Sequence, residues 1–230
     1  MRAIVLAGGL GTRLAGITGD IPKPMAAIGP RPFLEYLLDY LAEQGVKDIV
    51  LAVSYRWEVI RDHFGRDYRG MSLGYSVEEK PLGTGGAIRQ ALESVEDDDV
   101  VVLNGDTLFR VDLEGMADMY RGSGAVLSLA LRQVADSGRF GRVEVSDDGV
   151  VSGFREKSAA GPGWINGGVY MLNRRLFDDF PMPGRFSFEQ DLVEPNIQRI
   201  RPRAFRSDAY FIDMGVPEDY ERAWREFGIE

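Results

Sequence analysis

The chain contains no cysteine, which removes disulfides, thiol nucleophiles and thiolate metal sites together. Histidine is almost as scarce. His63 stands alone, so a centre built on several imidazoles is excluded and any essential metal must rest on carboxylates. No apolar run approaches the ~18 residues of a membrane-spanning helix, and no membrane partner is expected. Cations are in deficit too: 27 Lys and Arg stand against 36 Asp and Glu, a formal charge of −9. Nonspecific nucleic-acid binding depends on clustered basic residues and is not expected here. A few local cations holding one small anion are unaffected by that balance. No basic region with a signal-like core precedes the first apolar segment, and we expect a cytoplasmic protein. Linker tracts, internal repeats and low-complexity segments are also missing. The 230 residues, 44% of them hydrophobic, are therefore expected to form a single domain, 1–230.

What is present concentrates first in residues 1–25. Ile4, Val5 and Leu6 form a short apolar run without alternation, which suits a strand covered on both faces. Gly8-Gly9-Leu10-Gly11-Thr12-Arg13-Leu14 follows. Its glycines let the backbone pass close to a bulky anion, and successive backbone N–H groups in such a turn form an anion-binding concavity. Arg13 and Lys23 then supply two cations for the same phosphates. The spacing Gly9-x-Gly11 lacks the third glycine of a dinucleotide fingerprint, and no Gly-Lys-Ser/Thr of a Walker A loop follows.

The remaining pattern alternates strands and helices before becoming richer in strands. Phe33, Leu34, Leu37, Leu38 and Leu41 share one helical face within Pro32–Gln44, with Gly45 as its C-terminal cap. Strands are expected at Ile49–Val53 and Leu73–Val77, separated by a short helix around Trp57, Ile60 and Phe64. His63 lies on the surface of that helix. Pro81-Leu82-Gly83-Thr84-Gly85-Gly86-Ala87 is a second glycine loop opening a helix, with Thr84 as N-cap and a helix N-terminus that favours anions. The inner face of that helix carries Ile88, Leu92 and Val95. Val100–Leu103 leads, strand-like, into Asn104-Gly105-Asp106. This alternation implies βαβ units and a mainly parallel sheet. Beyond it, Ala125–Leu131, Arg142–Val145, Val150–Phe154 and Trp164–Leu172 read as strands, with Asp148-Gly149 as a hairpin turn. Ser187 to about Ile200 reads as a helix interrupted near Pro195, Tyr210–Ile212 as a short strand, and Pro217–Phe227 as a closing helix. Asp106 and Asp213 each follow an apolar strand, where ligands of open α/β sheets gather. Taken alone, either is more often a turn or cap residue. Asn166-Gly167-Gly168 lies within a strand and marks either a close ligand approach or a β-bulge.

The glycine motif with Pro22-Lys23-Pro24-Met25 resembles the signature of the sugar-1-phosphate nucleotidyltransferases. The resemblance covers essentially the whole chain. Asn166-Gly167-Gly168-Val169-Tyr170, Phe186-Ser187-Phe188-Glu189 and Phe211-Ile212-Asp213-Met214-Gly215 look most like the short bacterial heptose-1-phosphate guanylyltransferases. This implies an α/β fold of nucleotide-diphospho-sugar transferase type. Its Rossmann-like, mixed, mainly parallel sheet would be flanked by helices, without a C-terminal β-helix. The halves would be 1–110 for the nucleotide and 111–230 for the sugar phosphate. The implied reaction joins GTP and D-glycero-α-D-manno-heptose 1-phosphate to GDP-heptose and pyrophosphate. By the resemblance, Arg13 and Lys23 are catalytic. Leu6, Gly8, Gly9, Gly11, Thr12, Gly83, Thr84 and Gly85 contact the nucleotide. Asn104, Gly141, Glu156, Lys157, Asn166 and Gly168 contact the sugar phosphate, and Asp106 and Asp213 hold Mg²⁺. Phe140 stands where the family has tyrosine. The rivals are a mannose- or glucose-1-phosphate nucleotidyltransferase, a dinucleotide-dependent oxidoreductase and a non-catalytic sugar-nucleotide sensor. The partners implied are small molecules, and the sequence leaves open whether the chain forms a homo-oligomer.

Overall fold

The computed structural model describes residues 1–9, 21–155 and 161–227. Strand β1 (Arg2–Leu6) is followed by the short antiparallel pair β2 (Ala27–Ile28) and β3 (Arg31–Pro32), then helix α1 (Phe33–Glu43). Next come β4 (Asp48–Val53), α2 (Trp57–Phe64), β5 (Asp67–Tyr68), β6 (Met71–Val77), α3 (Gly83–Leu92) and β7 (Asp99–Asn104). β8 (Thr107–Phe109) and α4 (Leu113–Ser123) lead to β9 (Leu127–Val134), β10 (Arg142–Val145), β11 (Val151–Arg155) and β12 (Gly163–Asn173). The chain continues through α5 (Arg175–Asp179), a π-helix (Phe188–Val193), α6 (Ile197–Ile200), β13 (Arg203–Ser207), β14 (Phe211–Asp213) and α7 (Pro217–Phe227).

Eight strands form the central sheet in the order β13-β9-β12-β7-β1-β4-β6-β5. The pairs β1–β4, β1–β7, β4–β6 and β9–β13 are parallel, whereas β12 runs antiparallel to both β7 and β9. The expected mixed, mainly parallel sheet is thus present. Its strands alternate between two cores, because successive side chains point to opposite faces. On one side Ala3, Val5, Val101 and Leu103 pack with Phe33, Leu37 and Leu41 of α1, Met116 and Tyr120 of α4, and Ala223 of α7. On the other, Ile4, Val100 and Val102 meet Ile88 and Leu92 of α3 and Phe188 and Leu192 of the π-helix. With both faces covered, the central strands β1, β4 and β7 are apolar along most of their length.

Gly45, at φ +72°, follows α1 in the left-handed conformation expected of its cap. Gly149, at φ +77°, turns the chain between β10 and β11. Three expectations change. α3 ends at Leu92, so Val95 is buried beyond the helix rather than on it. Thr84 lies inside α3, the N-cap being Leu82. The back half also contains α4, whose N-cap Asp112 accepts a hydrogen bond from the Gly115 amide at 3.0 Å.

Candidate active site

The carboxyl ends of β1, β4, β6 and β7 open onto a cavity of about 450 Å³. Leu6, Gly8 and Gly9 reach it from β1, Asn104 and Asp106 from β7, Gly83 and Thr84 from the start of α3, and Lys23 from the segment before β2. Close backbone packing fixes the floor. The Gly105 amide donates to Leu6 O at 2.9 Å, and a Cβ on Gly105 would stand 2.6 Å from that oxygen. Ser54 Oγ donates to Gly8 O at 2.5 Å and holds the glycine turn against the end of β4.

The second glycine loop has a more structural function than its motif suggests. Gly83 and Thr84 line the cavity, but Gly85 does not; a Cβ there would stand 2.1 Å from Cε2 of the buried Phe186. Thr84 Oγ1 accepts from the Phe188 amide at 2.9 Å, tying α3 to the π-helix. Glu78, at the end of β6, also faces the cavity. Its Oε2 accepts from the Leu82 amide at 2.8 Å, while burial pushes the carboxyl above its usual range against that hydrogen bond.

A second cavity of about 280 Å³ shares Lys23, Asn104 and Asp106 with the first. It adds Asn166, Gly168, Glu189 and Asp213. Strands β8 and β14 form an antiparallel pair that sets Thr107 opposite Asp213, and the Met214 amide donates to Asp106 O at 2.8 Å. This ribbon brings the two aspartates, distant in sequence, to one place. Burial, then the Asp106 carboxylate, pushes Asp213 up to about 6, against the pull of Lys23 and Arg139. Lys23 Nζ pairs directly with Asp106 Oδ2. Among the described residues no group of three or more His, Asp or Glu converges as a metal site.

A third cavity of about 580 Å³ shares Phe140, Asn166 and Glu189 with the second and includes Gly141. Asn166 is held firmly: its Nδ2 donates to Tyr170 Oη at 2.9 Å and its Oδ1 accepts from the Gly168 amide at 3.1 Å. Tyr170 Oη in turn donates to Glu189 Oε1, and burial, then Glu189, holds that phenol well above its usual range. The pairing of β12 with β9 shifts between Asn166 and Tyr170, where Gly168 has φ +71°. The β-bulge reading of Asn166-Gly167-Gly168 is therefore realised, and the bulge lines the cavity. Phe140 packs against Phe211 with ring centroids 5.9 Å apart, and Arg139 covers it at 4.4 Å.

The structure thus brings Leu6, Gly8, Gly9, Lys23, Gly83, Thr84, Asn104, Asp106, Gly141, Asn166, Gly168 and Asp213 to one continuous cleft. Gly11, Thr12, Arg13, Glu156 and Lys157 lie outside the described residues. Sequence reasoning did not single out Glu78, Ser54 or Glu189. Glu78 and Ser54 each directly follow an apolar strand, the signal that marked Asp106 and could have found them.

A cleft at the carboxyl edge of a parallel sheet, with a lysine and two aspartates at its waist, suits phosphoryl chemistry. A family model described as nucleotidyl transferase matches residues 2–228. The chain belongs to the nucleotidyl transferase family. Within this family it is 47% identical to the D-glycero-alpha-D-manno-heptose 1-phosphate guanylyltransferase of Campylobacter jejuni subsp. jejuni, across 96% of this chain and 97% of that one. It is 44% identical to the protein of the same name from Aneurinibacillus thermoaerophilus, over 98% of both chains. The crystal structure of HddC from Yersinia pseudotuberculosis superposes with TM-score 0.88 at 38% identity, covering 98% of this chain and 99% of that one. HddC has also been solved complexed with GMP-PN. The resemblance carried by the motifs is borne out, and so is the nucleotidyltransferase fold. No helix among the described residues is long and apolar enough to cross a membrane.

Proposed function

We propose that this nucleotidyltransferase joins GTP and D-glycero-α-D-manno-heptose 1-phosphate, forming GDP-heptose and releasing pyrophosphate. The observation that carries the reading is the chain of three cavities, in which the middle one joins the other two and is lined by Lys23, Asp106 and Asp213. The first cavity takes the nucleoside, the third the sugar, and the middle one the reacting phosphates. Residues 1–110 accordingly serve the nucleotide and 111–230 mainly the sugar phosphate. A phosphate oxygen of the sugar substrate attacks the α-phosphorus in line, forming one P–O bond as the bond to the β-phosphate oxygen breaks. Positioning and charge neutralisation are then the main tasks of the protein.

Two oxygen-donor carboxylates, one of them destabilised as an anion by the other, fit a hard divalent cation. Asp106 and Asp213 would hold Mg²⁺, which when bound neutralises the charge gathering on the phosphates. Lys23 holds the α-phosphate and the sugar phosphate. From the motif, Arg13 acts on the leaving pyrophosphate and Lys157 on the sugar phosphate, with Glu156 on sugar hydroxyls. Asn166 is presented to the sugar by Tyr170, and Asn104 stands at the junction. Glu78 reads guanine, whose N1–H and 2-amino donors suit a carboxylate.

The test is pyrophosphate release by the purified protein with Mg²⁺, crossing four nucleoside triphosphates with heptose, mannose and glucose 1-phosphates. Release confined to GTP with the heptose is expected. Release with another sugar phosphate overturns the sugar assignment while retaining the chemistry. Silence across the panel from a folded protein removes the proposal.

A further inference from the structure

A cavity of about 610 Å³ opens at the opposite end of the sheet from the active site. The antiparallel pairing of β12 with both β7 and β9 makes β7 and β9 parallel, and β13 runs parallel to β9. The active-site cleft lies at the carboxyl end of β7. The second cavity is lined by Ala125 and Val126, just before β9, and by Arg203, the first residue of β13. It therefore belongs to the amino-terminal edge and shares no lining residue with the cleft.

Three arginines, Arg199, Arg201 and Arg203, line this cavity, with Asp179 as the one acidic lining residue. That local excess of positive charge stands out in a chain carrying −9. Like charges gathered in one concavity repel, and an arrangement of this kind is relieved by an anion. Arg201 ion-pairs with Asp148 at 3.3 Å outside the lining set. Arg199 lies over the Phe180 ring at 4.6 Å, which orients the guanidinium plane without neutralising it. Neither Arg199 nor Arg203 has a carboxylate within ion-pair distance among the described residues. Arg203 Nε is moreover buried from solvent with no hydrogen-bond partner there. Such a donor costs free energy unless something accepts from it.

The scaffold is tied in place. Val150 and Arg203 form an antiparallel bridge, the Val151 amide donates to Pro202 O at 2.8 Å, and the Ala204 amide donates to Gly149 O at 3.0 Å. Arg201 sits at φ +48°, a left-handed conformation uncommon for a side-chain-bearing residue, and this turn sends the chain from α6 into β13. The volume exceeds the needs of a bare phosphate and falls within the range of small-molecule sites. Phe180, Ile200 and Val126 supply an apolar wall.

We propose that this cavity is a second ligand site, binding the phosphoryl group of a small phosphate-bearing metabolite through Arg199 and Arg203. The site is separate from the proposed reaction and does not depend on which sugar or nucleotide is used there.

The test is calorimetric titration of the full chain with its active site saturated by a non-hydrolysable GTP analogue and Mg²⁺. Inorganic phosphate and glucose 6-phosphate are the probes, each run on the wild type, Arg199→Gln and Arg199→Gln/Arg203→Gln. Binding to the wild type is expected, weakened roughly tenfold or more in the double variant. Arg199 is exposed, so Arg199→Gln alone tests the site should the double variant not fold. Tighter binding of glucose 6-phosphate than of inorganic phosphate, lost in the variants, supports an organic ligand using the apolar wall. Equal affinities, lost likewise, support recognition of the phosphoryl group alone. Absence of binding to the wild type, or unchanged affinity in the variants, overturns the proposal.

Discussion

Replacing Glu78 by glutamine tests the base assignment with almost no change of shape. The carboxylate has one oxygen engaged by the Leu82 amide at 2.8 Å, and the cavity receives the other beside Gly8. A carboxylate is acceptor-only and can take both donors of the guanine edge. Glutamine keeps one acceptor. If its carbonyl retains the Leu82 amide, its NH₂ group is turned toward a guanine N–H, donor against donor. A hydrogen bond to a charged group contributes about 1.5–3 kcal/mol, so losing one lowers kcat/KM for GTP by about ten- to a hundredfold. ATP, which lacks those donors, should be used no worse by the variant than by the wild type. ITP lacks the 2-amino group and should fall between them. Burial already raises the Glu78 carboxyl, and guanine binding requires its charged form. The KM for GTP should therefore rise on acidification toward the carboxylate range in the wild type, and the glutamine variant should lose that dependence. The assay is steady-state pyrophosphate release with the three nucleotides, with circular dichroism to confirm folding. Equal losses for GTP and ATP, or undiminished GTP use, would refute the reasoning.

Asp106→Asn should lower turnover by about a hundredfold or more while leaving the fold intact, since charge stabilisation at a metal is worth several kcal/mol. Near-normal turnover at saturating Mg²⁺ removes Asp106 from the metal site. Gly85→Ala drives a methyl to 2.1 Å from the buried Phe186 ring and should cost about 1–3 kcal/mol in urea unfolding. A stability equal to the wild type contradicts that packing. Tyr170→Phe removes the hydroxyl joining Asn166 to Glu189 and should raise the KM for sugar phosphate more than that for GTP. Equal effects on both substrates reject its role in presenting Asn166.

The front half was legible because its signals are local. An unalternating apolar run, a glycine turn and a helical stripe each lie within ten or so residues, and β1, β4, α1 and α3 appear close to where the pattern places them. The missed α4 had equally local signals: Asp112 as N-cap, Leu113, Met116, Ala117 and Tyr120 at helical spacing, and Gly124 in the left-handed conformation after it. They were overshadowed by the strand-rich run that follows. β13 was a different case. Its Arg203-Ala204-Phe205-Arg206-Ser207 lacks a continuous apolar run and is a strand because it pairs beside β9 at the sheet edge, where tertiary context outweighs propensity. Gly85 illustrates the limit of motif reading, since a glycine spared for a ligand and one spared for Phe186 look identical in sequence.

The junction of the cleft depends on long-range pairing that no window of sequence contains. Asp106 and Asp213 meet because β14 pairs with β8, and Asn104 meets the bulge of β12 because β12 pairs with β7. A Cβ on Gly168 would lie 2.7 Å from Asn104 Nδ2, so the glycine, at φ +71°, lets β12 and the end of β7 close on each other. The electrostatics follow from the same convergence. Two carboxylates brought together disfavour each other's charge, and the Lys23 ammonium, held on Asp106, offsets part of that repulsion. In the proposed reaction Asp106 and Asp213 would hold a divalent cation that supplies that compensation, and Lys23 would then be free to face the phosphates. Ligand binding and the freeing of Lys23 would then be one exchange of charge partners at Asp106.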